Sequence, residues 1–559
     1  MLKVVLCLYM IVAQFLIIVS IFNGAVNSLQ ASDFDVYDLP LVPKSLSSIR
    51  MHAGYLPVDS QHHGALFFCH FAKKSSVEKS RTVIWLAGGP GGSSLSEAWM
   101  GIGPFRFQDK DTIVENSESW HLLANLLFVD QPVGTGFSYT DTNSFIHELE
   151  EMTNQFLHFL DRYIEIFPKL LEDDIYLAGS SFAGQYIPYI AQAVLEKTSK
   201  MKLRGLLIGN GWIDPVAIYM SYLPFAVENS LVMNDSNLYH RINDQVNLCQ
   251  QALFNQVHVL EEVCDSILDQ ILQYGAMNNR HGRNEKDRCV NVYDIRFDDV
   301  YPRCGTNNPV DLNYVTSYLN RADVMSSLHA DGKVKWTDFS YSVYTSFDVC
   351  HSTPSIQLLP DLLRRIPILL YNGEYDLISN HRATEKMIDT MPWNNKTGFD
   401  LGNGTLALTE SWMVEGQSAG LIRTVGNLVY ILFFNTGHLV TYYQTRRSRV
   451  MLQQFIELFS ISPLHDQITT TKKSEGTNQT QHRVSNGVAY VAPAIIITVI
   501  GFVSLVLFVL CKWQQPRIST LFKIMRVFRL KPRDPQQQQR VMYSALNNSS
   551  EDLHNATPV

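Results

Sequence analysis

Three residues, met in one order along the chain, have the types needed for nucleophilic chemistry: Ser181 in LAGSSFAGQY, Asp376 after IPILLYNGEY and His438 after LVYILFFNTG. A serine hydroxyl is a poor nucleophile until a base takes its proton, and an imidazole serves best when an acid fixes its tautomer. Where the serine sits in a sharp strand-to-helix turn, the acid and then the histidine follow on loops after later strands. Asp376 and His438 occupy such places. Ser180 is the rival nucleophile, but only Ser181 has small residues two before and two after it, Gly179 and Ala183. Acyl transfer also needs backbone donors for an oxyanion. The amide of Phe182, directly after the nucleophile, is one; Gly89 in the turn GGPGG is the other. No cysteine or histidine spacing resembles a metal site, and no cofactor is expected.

These residues require a scaffold of strands ending along one edge. Short β-rich runs supply it: TVIWLA from Thr82, NLLFVD from Asn125, DIYLAG, LRGLLI from Leu203, IPILLY from Ile366 and LVYILFF from Leu428. Between them, Glu148 to Phe167 carries apolar residues at helical spacing (Met152, Phe156, Phe159, Leu160, Tyr163) and Pro168 ends it. Such alternation predicts an α/β-hydrolase fold with a mostly parallel sheet. The long interval between Ile208 and Ile366 reads as an inserted cap at about 216–350.

The ends of the chain are different. Lys3, the apolar run Val4–Phe22 and the small residues Gly24, Ala25 and Ser28 read as a signal peptide over 1–27. The second apolar run, Ala489–Leu510, has no charged residue and suffices to cross a hydrocarbon core of about 30 Å as one helix. Lys512, Arg517, Lys523, Arg526 and further basic residues follow it, so the N-terminal bulk faces a lumen. The expected layout is a lumenal domain at 28–462, a polar stalk at 463–487, a transmembrane helix at 488–510 and a cytoplasmic tail at 511–559. YSAL, from Tyr543, matches the form of tail signals that bind sorting adaptors.

The composition is that of an ordinary globular protein, with 46% hydrophobic and 18% charged residues, and a net charge of −8 excludes nothing but a strongly basic class. No nucleic-acid signature is present. Six cysteines fall in the lumenal part (Cys69, Cys249, Cys264, Cys289, Cys304 and Cys350), an even number that suggests three disulfides. Sequons at Asn234, Asn395, Asn403 and Asn478 fit a glycosylated lumenal surface.

Together WLAGGPGGSS, FVDQPVGTGFSY, AGSSFAGQYIP, IGNGWIDP, YNGEYDLISN and NTGHLV resemble, in content and order, the blocks of the serine carboxypeptidases, over roughly Leu39 to Ser460. CVNVYDIRFDDVYPRCG and the anchored layout are similar to that family's membrane-anchored fungal branch of the late Golgi, which processes pheromone precursors. The resemblance implies removal of C-terminal residues, in that branch Lys or Arg, from peptides or precursor proteins by an acyl-enzyme route, with the trans-Golgi network as the location. It also implies that a substrate carboxylate is read by an Asn, a Glu before the nucleophile and a second supporting Glu. The matching positions here are Ala87, Ser180 and Gly101, so all three groups are missing, while Gly88 keeps its backbone N–H for substrate. Gly92 replaces the family's cysteine, which leaves Cys350 to pair with Cys69 and the other four cysteines to pair within the cap. These departures support an alternative: a divergent paralogue acting as an esterase or amidase, or as a non-catalytic binding or sorting module.

Overall fold

The computed structural model describes residues 29–460 apart from 75–78, 198–199, 256, 276–287, 301–308, 331 and 333. The signal peptide, the stalk with Asn478, the apolar run Ala489–Leu510 and the tail lie outside the described residues. Among the described residues no helix is long and apolar enough to cross a membrane.

The scaffold is one ten-stranded sheet. Its strands are β1 (Met51–Asp59), β2 (Gly64–Phe71), β3 (Arg81–Leu86), β4 (Asn125–Asp130), β5 (Asp174–Ser180), β6 (Lys202–Gly209), β7 (Ile368–Gly373), β8 (Glu410–Val414), β9 (Gln417–Val425) and β10 (Leu428–Phe433). Across the sheet they run β1-β2-β4-β3-β5-β6-β7-β10-β9-β8. From β4 to β10 every neighbouring pair is parallel. β1 and β2 on one side, and β9 and β8 on the other, add antiparallel edges that the apolar runs did not announce.

The central strands are apolar throughout because both faces are covered. Ile84, Leu86, Ile175, Leu177, Leu206 and Ile208 point into one core, with the helices Leu149–Ile166 and Ala183–Lys197. Their alternates Val83, Trp85, Tyr176, Ala178, Leu207 and Tyr371 point into the other, with the helices Ser94–Met100 and Thr445–Ser460. The period-2 alternation thus sorts each strand between two layers. In the helix Leu149–Ile166, Met152, Phe156, Phe159, Leu160 and Tyr163 are all buried, each contributing about 1.5–3 kcal/mol.

The interval after β6 is mainly helical, with Pro215–Glu228, Asn237–Asn255 and Glu262–Gly275 in succession. Its later part is stitched to the loops at the strand ends. The Leu377 amide donates to the Val292 carbonyl, the Ile295 amide to Tyr375, and the Ser93 amide to Asp338.

Cys249 and Cys264 form a disulfide between two of these helices, and Cys289 is also disulfide-bonded, as expected for the cap. The pairing of Cys69 with Cys350 is corrected: both are free. Cys69 lies in mid-strand in β2, opposite Ala53 and Phe128 and with no exposed surface. Cys350 is on an exposed loop. A thiol enclosed between strands in the sheet core cannot reach a loop at the surface.

Candidate active site

Ser181, Asp376 and His438 each follow the C-terminal end of a parallel strand: β5, β7 and β10. β6 separates the first from the second, and β7 and β10 are neighbours. All three therefore come to one edge of the sheet, where doubly covered α/β folds place their ligands.

Ser181 has φ +61°, a left-handed conformation in which a side chain is strained by about 1–2 kcal/mol. Backbone hydrogen bonds hold it there. Its N–H donates to the Gly209 carbonyl at 3.0 Å, and its own carbonyl accepts from the amides of Gly184 and Trp212, each at 2.9 Å. Ser180, the rival, is instead the last residue of β5, in register with Gly209. Gly179 is required by space: a Cβ there would lie 2.2 Å from the Leu86 carbonyl oxygen.

Asp376 is completely buried and His438 nearly so. His438 Nδ1 lies 2.8 Å from Asp376 Oδ2. The same oxygen accepts from Asn210 Nδ2 at 2.6 Å, and Oδ1 accepts from the Ser379 amide at 3.2 Å. The His438 amide donates to the Tyr293 carbonyl at 2.6 Å, and the Tyr293 ring lies 5.3 Å from the imidazole. No hydrogen bond joins Ser181 to His438 among the described residues; such contacts are often long without substrate and tighten when it binds.

The GGPGG turn lies directly on the elbow. A Cβ at Gly88 would come within 2.6 Å of the Phe182 amide nitrogen and 2.7 Å of the Ser181 Cβ. Gly89, the next residue of the turn, has φ +120° and is exposed. The turn is tied down on both sides. The Ser340 amide donates to the Gly91 carbonyl at 2.9 Å, and Ser93 Oγ donates to Asp130 Oδ1 at 2.6 Å. Burial pushes the Asp130 carboxyl up to about 6, against the hydrogen bonds from Ser93 and the Phe137, Leu95 and Ser94 amides.

Ala87 and Ser180 are half-buried beside this turn, and Gly101 is buried at the C-terminus of the helix Ser94–Met100. The sequence reading missed Asn210 and Tyr293, which hold Asp376 and His438. Asn210 carried a signal, since it follows β6 in the IGNG turn; Tyr293 lies in the loop-rich interval and carried none. Of the sequons inside the described residues, Asn234, Asn395 and Asn403 are all exposed.

A doubly wound sheet with a strained serine after one strand and a hydrogen-bonded Asp–His pair after two others defines an α/β-hydrolase of the serine type. The serine carboxypeptidase family model matches residues 40–458, and the chain belongs to that family. It is 46% identical over 420 residues to the pheromone-processing carboxypeptidase of Tuber melanosporum, covering 73% of this chain and 67% of that one. The corresponding protein of Neosartorya fischeri is 44% identical over 447 residues, covering 78% and 69%. Among solved structures, the prohormone-processing carboxypeptidase of Saccharomyces cerevisiae superposes with a TM-score of 0.71 at 33% identity, covering 77% of this chain and 96% of that one.

Proposed function

We propose that this serine carboxypeptidase removes residues one at a time from the C-termini of peptides and cleaved precursors, with Ser181 as nucleophile, His438 as base and Asp376 as its orienting acid. The observation that carries the reading is the 2.8 Å contact between His438 Nδ1 and Asp376 Oδ2 on the sheet edge that bears Ser181. A carboxylate only accepts, so this contact keeps the proton on Nδ1 and leaves Nε2 free to act as base. Nε2 takes the hydroxyl proton as Ser181 Oγ attacks the last peptide carbonyl. The developing oxyanion is met by the amides of Gly89 and Phe182. Nε2 then gives its proton to the departing amine, and a water follows the same path to release the shortened peptide from the serine ester.

The likeness to fungal processing enzymes supports a secretory-pathway location, in the trans-Golgi network, and basic residues at the substrate C-terminus. The layout that fits is a lumenal domain at 28–462 with its cap at 216–350, a single membrane span at 488–510, and a tail at 511–559 whose YSAL meets sorting adaptors. The exposed positions of Asn234, Asn395 and Asn403 support glycosylation there; Asn478 belongs to the stalk. A second reading, an esterase or amidase of altered end-recognition or a binding module, is favoured by Ala87, Gly101 and Ser180, where the family's acid-reading side chains are absent, with Gly88 keeping only its amide. Digestion of matched free-acid and amidated peptides by the full-length protein separates the two. Stepwise loss of C-terminal residues from the acids supports the first reading; equal cleavage of both, or of neither, supports the second.

A further inference from the structure

Two consecutive helices of the cap, Pro215–Glu228 and Asn237–Asn255, pack together and leave a groove of about 550 Å³ between them. One wall runs through Met220, Leu223 and Val227, the other through Tyr239, Asn243 and Val246. Spacings of three and four put each set on a single helix face. The second wall continues one turn further to Gln250, so it extends for about 16 Å at 1.5 Å per residue. Asn234 lines the same groove from the turn between the two helices. It is exposed and opens the sequon Asn234–Asp235–Ser236, whose serine accepts from the Tyr239 amide at 3.1 Å and so caps the second helix.

We propose that the N-linked glycan of Asn234 is seated in this groove, its two proximal N-acetylglucosamine units lying between the helix faces and shielded from solvent. This rests on the glycosylation reading above. In the attachment Asn234 Nδ2 forms a bond to the anomeric carbon of a lipid-linked oligosaccharide, the bond from that carbon to the lipid diphosphate breaks, and Nδ2 gives up one proton. The groove suits the sugars in size and chemistry. Ligand sites occupy about 300–1,000 Å³, and a disaccharide falls within that range. A pyranose has apolar C–H faces, which match Met220, Leu223, Val227 and the Tyr239 ring, and polar edges, which match the amide side chains of Asn243 and Gln250. Pro224 has no N–H to give the Met220 carbonyl one turn earlier, so the first wall keeps a backbone acceptor for an acetamido N–H. Glu228 and Arg382 pair with each other at the rim, so a neutral ligand meets no uncompensated charge. Contacts of this kind are weak for a free sugar, but the tether to Asn234 raises the effective concentration to about millimolar.

Asn403 makes the contrast. It stands between Gly402 and Gly404, where an added Cβ would meet nothing within 4 Å, so a glycan there projects into solvent. The seat at Asn234 also touches the scaffold of the active site. From the first wall's helix Tyr222 donates to the Ile378 carbonyl at 3.1 Å, and Ser221 Oγ accepts from Asn380 Nδ2 at 2.8 Å. A glycan in the groove therefore braces, from outside, the helix that holds the loop of Asp376.

The test treats the full-length protein, made in a eukaryotic host that leaves high-mannose chains, with endoglycosidase H, which cuts between the first two sugars. Glycopeptide mass mapping follows release at each asparagine in native and in heat-denatured protein. Native release at Asn234 should be at least about tenfold slower than at Asn403, as for a docked state favoured by about 1.4 kcal/mol, and denaturation should abolish the difference. Tyr239→Ala, which removes the ring but not the sequon, should bring native release at Asn234 up to the Asn403 rate. Asn243→Ala with Gln250→Ala, which leaves the apolar packing intact, should speed it in the same direction; labelling of Ser181 by a fluorophosphonate confirms that each variant is folded. Equal native release at Asn234 and Asn403 in the wild type, or protection unchanged in both variants, overturns the inference and leaves glycosylation standing. A mass map that finds Asn234 unmodified overturns both.

Discussion

Removing the Asn210 side chain tests how much the relay depends on a residue that never touches substrate. Asn210 Nδ2 donates to Asp376 Oδ2 at 2.6 Å, to the same oxygen that faces His438 Nδ1. A hydrogen bond to a buried charged group contributes about 1.5–3 kcal/mol. Its loss frees the carboxylate to rotate away from the imidazole and should lower kcat/KM by about 10–150-fold. Asn210 has φ +46°, so alanine would add backbone strain to the loss of the amide. Asn210→Gly removes only the amide and is the variant to make. Because the group acts through Asp376, the loss should appear in kcat with KM nearly unchanged. Active sites are first titrated with a fluorophosphonate, so that misfolded molecules do not count, and peptide hydrolysis is then measured per titrated site. A per-site kcat within twofold of wild type would refute the reasoning: the amide would then be structural packing and nothing more.

Other consequences follow from the same geometry. Gly88→Ala drives a methyl to within 2.6 Å of the Phe182 nitrogen and should cost at least about 10²-fold in kcat; activity within tenfold of wild type would show that the turn can move away. Asp130 in the folded protein titrates near 6, above the 3.8 of an ordinary aspartate. Its contribution to stability is therefore present below pH 4 and lost as the pH rises through 6, by about 3 kcal/mol. Asp130→Asn should flatten the fall in melting temperature between pH 4 and 7, and an unchanged fall would contradict this. In the native protein iodoacetamide should alkylate Cys350 and spare Cys69, whose thiol burial pushes well up, until denaturant is added; a Cys69–Cys350 cross-linked peptide would contradict it.

The six parallel strands were legible because a strand covered on both faces is apolar at every position, and such runs are short and bounded by turn residues. The edges were not. In β8 and β9, Glu410–Val414 and Gln417–Val425 are mostly exposed or half-buried, and their mixed composition carries no run to read. The positions after the strands located Ser181, Asp376 and His438, since strand ends and glycine turns are local features. Asn210 and Tyr293 act through long-range contacts and could be placed only by the folded chain. The absence of a side chain at Gly101 was legible, but its steric reason was not: only the folded chain shows the Glu97 carboxyl occupying the space a Cβ there would need. The cysteine pairing failed for a related reason. Spacing says nothing about whether a thiol points into a sheet or toward solvent, and Cys69 points in.

The central claim is that Ser181 is activated by the Asp376–His438 pair. Intact-mass measurement of the full-length protein after treatment with a fluorophosphonate tests it most directly, with peptide mapping of the adduct. The account predicts one adduct per chain, mapped to Ser181, absent in Ser181→Ala and slowed severely in His438→Ala. An adduct that maps to Ser180 or any other residue, or labelling of Ser181 that persists at the wild-type rate in His438→Ala, would contradict it.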